Sequence, residues 1–320
     1  MTVKSLTIPS NLDVFYSMYY AYLKEPRIFK TKLTGFIGKS SNTVGKYMKI
    51  AEENDMIFPP QLRLKMTKEA CEHVYFVKVT DPVECLPFLE ESGAFYVCFL
   101  AGFYNLMFMS YKPITVSHLP QYRDTLLSGR RSDYVVPTVP KQDFDKAYQK
   151  IDMKLKTEPE PSLLSLDFPD GKYWSEEVWF LYHILKYNFR LNYTPIIKKY
   201  HISVSSFYSR IEKIRSQTDI YVPFYPLGQM HYTIFHLLIK SRYHKFLIDC
   251  FSEFPASSLH CRIEDYLFSR VAISKWTEMT QFLKLLLSFQ HLGFIEDYET
   301  SLPFESEVFH PGSPFPPPSP

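Results

Sequence analysis

Residues 40–60 read SSNTVGKYMKIAEENDMIFPP, and residues 203–223 read SVSSFYSRIEKIRSQTDIYVP. Few identities join them, yet apolar positions coincide at a spacing of 163: Val44 with Phe207, Met48 with Ile211, Ala51 with Ile214, Ile57 with Ile220. Pro60 falls on Pro223. Packing selects pattern before identity, so the agreement marks an internal repeat.

The match continues downstream at a spacing of 162, where Ala94 meets Ala256, Val97 meets Leu259 and Tyr104 meets Tyr266. GAFYVCFLAGFYNLMFMSY (93–111) thus corresponds to PASSLHCRIEDYLFSRVAI (255–273). The first stretch holds no charge and is nearly long enough to cross a bilayer. Its counterpart carries Arg262, Glu264, Asp265 and Arg270, which hydrocarbon would not tolerate. Gly102 and Asn105 also suit a turn better than a helix interior. The expectation is two strands, 95–100 and 106–111, joined by a tight turn and buried on both faces.

Each first-quoted segment lies in a basic module. Residues 1–66 hold ten Lys and Arg against five Asp and Glu, and residues 171–228 hold eight against four. Net charge over the whole chain is only +2, so the remainder is acidic. In the first module, helices are expected over 12–24 and 30–37, ending before Pro26 and at Gly38. A third helix, capped by Ser40 or Ser41, runs to about Asn54 and buries Val44, Met48 and Ala51. Thr43, Lys46, Tyr47 and Lys49 take its other side. In the second module, Thr194-Pro195 opens a helix to Tyr200, and Ser203 caps the next. Phe207, Ile211 and Ile214 face inward there, with Ser206, Tyr208, Ser209, Arg210 and Lys213 outward. Helix, tight turn and polar capped helix make a helix-turn-helix, whose last helix can enter a DNA major groove.

LTGFIGKSSNTVGKYMKIAEE and IIKKYHISVSSFYSRIEKI resemble the helix-turn-helix of the Lrp/AsnC (feast/famine) transcriptional regulators. The first matches at Gly38, Ser40, Thr43, Val44, Lys46, Met48 and Lys49, and the second at Ser203, Ser206, Phe207, Arg210, Ile211 and Lys213. Tyr47, Ser209 and Glu212 depart from the basic pattern, and His201 replaces the turn glycine. The resemblance implies an α+β fold: a tandem repeat of winged helix-turn-helix and ferredoxin-like βαββαβ domain. Strands over 73–79 and 133–139, helices over 81–91 and 116–127, and the apolar hairpin would form the first effector-type domain. Segments 232–239, 243–254, the second hairpin, 274–289 and 294–298 would form the other. The boundaries read 1–66, 71–140, a linker at 141–170, 171–228, 229–305 and a proline-rich tail at 306–320.

The function expected on this resemblance is a cytoplasmic, DNA-binding transcriptional regulator that is not an enzyme and needs no cofactor or metal. Its partner would be double-stranded DNA, contacted through Ser41, Asn42, Thr43, Lys46, Tyr47, Lys49, Ser205, Ser206, Ser209, Arg210 and Lys213. The bland alternative is a solvated helix face. An amino-acid-like effector would meet Gly102, Tyr104 and Asn105, unless these simply build the hairpin turn. The two copies would associate as an intramolecular pseudo-dimer, or the chain as a homodimer.

Two other readings stand beside it. Haem-pathway decarboxylases resemble this family, and an enzyme of that type would need a polar, basic, histidine-bearing pocket between the effector-type domains. His118, His260 and Arg262 are the candidates. A ligand sensor or scaffold without DNA binding is the third reading. Among 320 residues, 46% are hydrophobic and 17% aromatic, which excludes a disordered chain. The five cysteines include no C-x-x-C pair, and His231, His236 and His244 show no H-E-x-x-H spacing. No phosphate-cradling glycine motif occurs. The first residues, MTVKSLTIPSNLD, lack a signal-peptide pattern.

Overall fold

The computed structural model describes residues 11–171 and 174–309. The chain opens with helices α1 (Leu12–Lys24), α2 (Lys30–Ile37) and α3 (Ser41–Glu53), as the sequence pattern anticipates. Gly38 ends α2 in the left-handed region at φ 70°, and the Ser40 hydroxyl accepts the Thr43 N–H at the start of α3. The second module repeats this with α6 (Glu176–Leu185), α7 (Tyr193–Lys199) and α8 (Val204–Ser216). His201 stands where Gly38 would, and it adopts the same left-handed backbone at φ 49°. The cap of α7 is Asn192, whose Oδ1 accepts the Thr194 N–H, so the expected Thr194 cap lies two residues inside. Ser203 caps α8 by accepting the Ser206 N–H.

After each helix-turn-helix comes a short strand, β1 (Gln61–Leu64) or β6 (Thr218–Tyr221), and these two pair antiparallel with each other. The pairing is an exchange. Leu62 and Leu64 of β1 lie in the core of the second module, against Leu181, Phe207 and Ile214. Val222 and Phe224, just past β6, lie in the core of the first, with Tyr19 stacked 4.7 Å from Phe224. Arg27 and Arg190, themselves 163 residues apart, lock the exchange. Arg27 donates to the carbonyls of Phe189 and Leu191, and Arg190 to those of Pro26 and Ile28.

The first sheet unit comprises β2 (His73–Val79), α4 (Leu86–Glu91), β3 (Ala94–Ala101), β4 (Leu106–Ser110) and β5 (Tyr122–Arg130). Here the structure corrects the sequence reading. The helix expected over 116–127 is one turn of 3-10 helix, Val116–His118, followed by β5. Pro113 precedes the stretch and Pro120 interrupts it, which denies it a continuous hydrogen-bonded helix. Residues 133–139, expected as a strand, instead cross to the other unit through a bridge between Val135 and His260. The second unit keeps both helices: β7 (Thr233–Lys240), α9 (His244–Phe251), β8 (Leu259–Ile263), β9 (Tyr266–Ile273), α10 (Trp276–His291) and β10 (Asp297–Glu307). Between the units, α5 (Phe144–Lys154) packs Phe144, Ala147 and Ile151 onto the second unit's helix-covered core. Residues 310–320, most of the expected tail, lie outside the described residues, while Ser306 and Glu307 continue β10.

The eight strands form one antiparallel sheet in the order β5-β2-β4-β3-β10-β7-β9-β8, two ferredoxin-like orders joined where β3 meets β10. The sheet curls until its outer edges meet: Arg131 bridges to Ile263, and the Ser132 N–H donates to the Arg262 carbonyl at 2.7 Å. Curling explains the apolar run at 93–111. Phe95, Cys98, Leu100, Met107 and Met109 face the interior shared by both units. Val97, Phe99, Leu106 and Phe108 face the outer layer with Leu89 of α4. No helix among the described residues is long and apolar enough to cross a membrane.

The Arg clamps carry a prediction. A hydrogen bond from a charged donor contributes about 1.5–3 kcal/mol. Arg27→Ala and Arg190→Ala should each lower unfolding free energy by roughly that much in denaturant titrations, and together by less than the sum, since both close one junction. Strict additivity would show the two clamps to be independent.

Candidate functional site

Where the curled sheet meets the β1–β6 ribbon and the end of α6, the fold encloses a pocket of about 310 Å³. Its walls are aromatic: Phe95, Tyr96, Tyr134, Tyr182, Tyr187, Tyr221, Tyr225 and Phe268 line it. Four charged side chains and one histidine stand among them, beside Gln61, Gln229 and Ser306: Arg63 from β1, Glu72 ahead of β2, Lys186 closing α6, His236 from β7 and Arg270 from β9.

Glu72 is spoken for. Arg131, fully buried, places Nε and Nη2 at 2.8 and 2.7 Å from Glu72 Oε2, and its other donors reach the Ser132 and Leu64 carbonyls. Burial alone would raise the Glu72 carboxyl; Arg131, and then Lys186, outweigh it and hold it below the usual range. Lys186 Nζ lies 3.9 Å from Glu72 Oε1, 3.9 Å from the Phe95 ring centroid and 3.5 Å from the Tyr111 hydroxyl. Burial pulls this ammonium down to about 7, against Glu72 and with help from Arg63 and Arg131. His236 and Arg270 are cross-strand partners, and Arg270 Nη1 donates to the Tyr225 hydroxyl at 2.7 Å. Burial, then Arg270, holds His236 at about 3, so it is neutral at ordinary pH.

Among the described residues, four polar atoms around the pocket are buried without a hydrogen-bond partner: Arg63 Nε, Tyr182 Oη, Tyr221 Oη and His236 Nδ1. Leaving a buried donor or acceptor unmet costs about 1–3 kcal/mol. Their convergence on one cavity, with cationic groups exceeding the single carboxylate, describes a site shaped for an anionic, hydrogen-bonding ligand.

None of the residues selected from sequence lines this pocket. On α3, Ser41, Asn42, Lys46 and Lys49 are exposed, and Lys49 Nζ lies 3.5 Å from Glu53. Thr43 is half-buried with its hydroxyl 2.8 Å from Ser40 Oγ. Tyr47 is half-buried too, edge-on to Phe15 at 5.7 Å, which assigns its ring to the module core. On α8, Ser205, Ser206, Ser209 and Lys213 are exposed and Arg210 is half-buried. Gly102, Tyr104 and Asn105 build the β3–β4 turn. Asn105 exchanges two hydrogen bonds with the Val79 backbone, and a Cβ on Gly102 would sit 2.9 Å from Ser301. Tyr104 borders a void of only about 10 Å³, no more than one water.

The catalytic candidates also move. His118 is exposed on its 3-10 turn. His260 is buried between the Ser258 and Ser269 hydroxyls, and the Arg262 guanidinium bonds the Leu164 and Glu264 carbonyls. The pocket histidine is His236. Its signal was a lone imidazole inside the buried run TIFHLLIK (233–240).

No family model matches the chain, and no curated protein matches it. Two solved structures share its layout. The crystal structure of the siroheme decarboxylase NirDL covers 90% of this chain and 91% of its own, at 11% identity and a TM-score of 0.46. The same protein with an iron-uroporphyrin III analogue covers 92% of each chain, at 11% identity and a TM-score of 0.45. A likeness this distant transfers no residue and no reaction. The expectation that the chain is not an enzyme is corrected to this extent: both of these structures are of an enzyme.

His236 makes the site acid-sensitive. Its folded pKa of about 3 lies below the ordinary imidazole value of 6.5, so the unfolded chain binds this proton first as pH falls. The stabilisation is complete above pH 6.5 and declines toward about 3. His236→Asn should therefore lose less unfolding free energy than the parent between pH 7 and 5, read from denaturant midpoints. Equal losses would mean that His236 is not held neutral.

Proposed function

We propose that the chain is an enzyme that binds a planar, carboxylate-bearing small molecule in the pocket between its two sheet units, and acts on it as a decarboxylase. One observation carries the reading. Arg63, Lys186 and Arg270 surround a single cavity whose only carboxylate among the described residues, Glu72, is already engaged by fully buried Arg131. Lys186 is buried and the two arginines half-buried, and such an excess of partly desolvated cation is costly unless an anion meets it. The aromatic walls favour a flat partner, and arginine forks suit carboxylates. The pocket has the polar, basic and histidine-bearing character that a decarboxylase of this architecture calls for.

The roles divide by charge. Arginines grip best the carboxylates that stay on the ligand, since holding the departing one as an ion would stabilise the ground state. Neutral His236 and the Tyr182 hydroxyl suit the one that leaves, offering hydrogen bonds without a full counter-charge. At about 310 Å³ the cavity stands at the low end for small-molecule sites, so a large macrocycle needs its mouth to widen.

The test is a ligand series running from small aromatic dicarboxylates to an iron-uroporphyrin III analogue, with affinity followed by absorbance or calorimetry and CO2 loss by mass spectrometry. Arg63→Ala and Arg270→Ala should each weaken binding about tenfold to a hundredfold. Failure of every member to bind, or affinities indifferent to both substitutions, would overturn the proposal.

A DNA-binding role is a second reading, favoured by the exposed Ser41, Asn42, Lys46, Ser205, Ser209 and Lys213 on the capped starts and outer faces of α3 and α8. Its measure is the salt dependence of duplex DNA retention. Replacing Lys46 and Lys213 by alanine should lower the slope of log affinity on log salt by roughly two. An unchanged slope would remove these helices from any DNA contact.

A further inference from the structure

The division of roles above leaves one pocket group unused. Lys186 is buried to 6% side-chain exposure, beside a carboxylate that Arg131 already holds more closely, at 2.7 Å against 3.9 Å. Its neighbours give an ammonium little of what water would. The Phe95 ring covers it, and the groups that face it are Glu72, Arg63, Arg131, the Tyr111 hydroxyl and the rings of Tyr182 and Tyr187. Two of the three nearby charges are positive. The fold does not require a lysine here, because the matching position of the first copy, 163 residues earlier, is Leu23. A fold that accepts leucine at one position and buries an amine at its equivalent keeps that amine for chemistry.

We propose that Lys186 Nζ is the nucleophile of this pocket and forms an imine with a carboxylate ligand that also bears an aldehyde or ketone. The inference rests on the enzyme reading of the pocket and narrows its substrate class to oxo acids. Desolvation and neighbouring cations are the two means by which a lysine is made nucleophilic near neutral pH, and both act on this side chain. The free amine attacks the carbonyl carbon, the oxygen takes up the proton released from nitrogen, and the carbinolamine, taking one proton from solvent that is given back when the free amine is restored, loses one water to leave a protonated C=N bond. No oxidant or reductant enters. Where the carboxylate sits on the carbon next to the imine carbon, the bond to it breaks, its electron pair moves toward the protonated imine nitrogen, and CO2 leaves. A proton returned to carbon and one water then release product and restore Lys186.

The experiment uses the full chain with glyoxylate as probe and cyanoborohydride to reduce the imine at about pH 7, followed by peptide mapping. An exposed lysine keeps roughly a thousandth as much free amine as one titrating near 7. Lys186 should therefore be alkylated about a hundredfold or more faster per site than exposed Lys39 or Lys46, and Lys186→Arg should abolish the fast phase. Uniform labelling across the lysines, with no excess at Lys186, overturns the proposal. The wild-type map alone decides this if the variant does not fold. Binding of the iron-uroporphyrin III analogue to the wild type is measured in parallel. Binding without selective labelling sinks the imine and leaves the enzyme reading standing. Selective labelling with no decarboxylation of any ligand does the reverse.

Discussion

The two halves of this chain are held together by an exchange of strands. Each helix-turn-helix completes its core with side chains sent from the other: Leu62 and Leu64 in one direction, Val222 and Phe224 in the other. The arginines at 27 and 190 fasten the same crossing to main-chain carbonyls that would otherwise need water. Neither copy can bury its apolar face alone, so the ribbon of β1 and β6 fixes where the two sheet units stand. Their edges then meet twice, at β3 with β10 and where residues 131–135 reach β8. Both junctions use unpaired strand edges that would otherwise invite foreign chains. The interior they enclose is a consequence of the exchange.

A repeat of this kind supplies two nearly equivalent walls, and the pocket is interesting for how unequal they are. At the hairpin spacing of 162, His236 of β7 corresponds to Val74 of β2. Arg270 pairs across from His236, while Met109 pairs across from Val74. Lys186 corresponds to Leu23. In each case the first copy has an apolar side chain and the second a polar one. The apolar member shows what packing alone asks of the position. The polar member departs from it at the cost of desolvation, and the three departures converge on one cavity. The geometry therefore provides one decorated site rather than a symmetric pair.

How far the sequence revealed this depends on where the information sits. The helix-turn-helix modules were legible because their signals are local: a capping serine, a left-handed turn, and apolar residues at spacings of three and four. The β3–β4 hairpin was legible through its copy, whose charges ruled out a membrane span. The helix expected over 116–127 was not, because it came from the resemblance rather than from local signals, Pro113 and Pro120 oppose it, and tertiary pairing with β2 claims residues 122–130 for a strand. The pocket was illegible for another reason. Arg63, Glu72, Lys186, His236 and Arg270 come from five separated segments, and only the exchange brings them together. Position-by-position subtraction of one copy from the other would have flagged them, since each falls on an apolar residue of the other copy: Arg63 on Pro226, Glu72 on Ile234, Lys186 on Leu23, His236 on Val74 and Arg270 on Phe108.

The Glu72–Arg131 pair explains how such a pocket can exist inside a stable fold. A buried carboxylate facing two or three cations would normally be drawn to the nearest and leave the rest uncompensated. Here Arg131 approaches from behind, bonding Glu72 with two nitrogens and spending its remaining donors on the Ser132 and Leu64 carbonyls. Its ring-facing surface rests 3.7 Å over Tyr134. All three Arg131 nitrogens are bonded within the protein, while Glu72 Oε1 has Lys186 Nζ 3.9 Å away. Arg131 thereby offsets much of the Glu72 charge that the pocket cations face. Burial first, and then Arg63 and Arg131, lower the Lys186 pKa against Glu72. The same desolvation and the same cations make the pocket receptive to an incoming carboxylate, so reactivity and anion recognition share their physical causes.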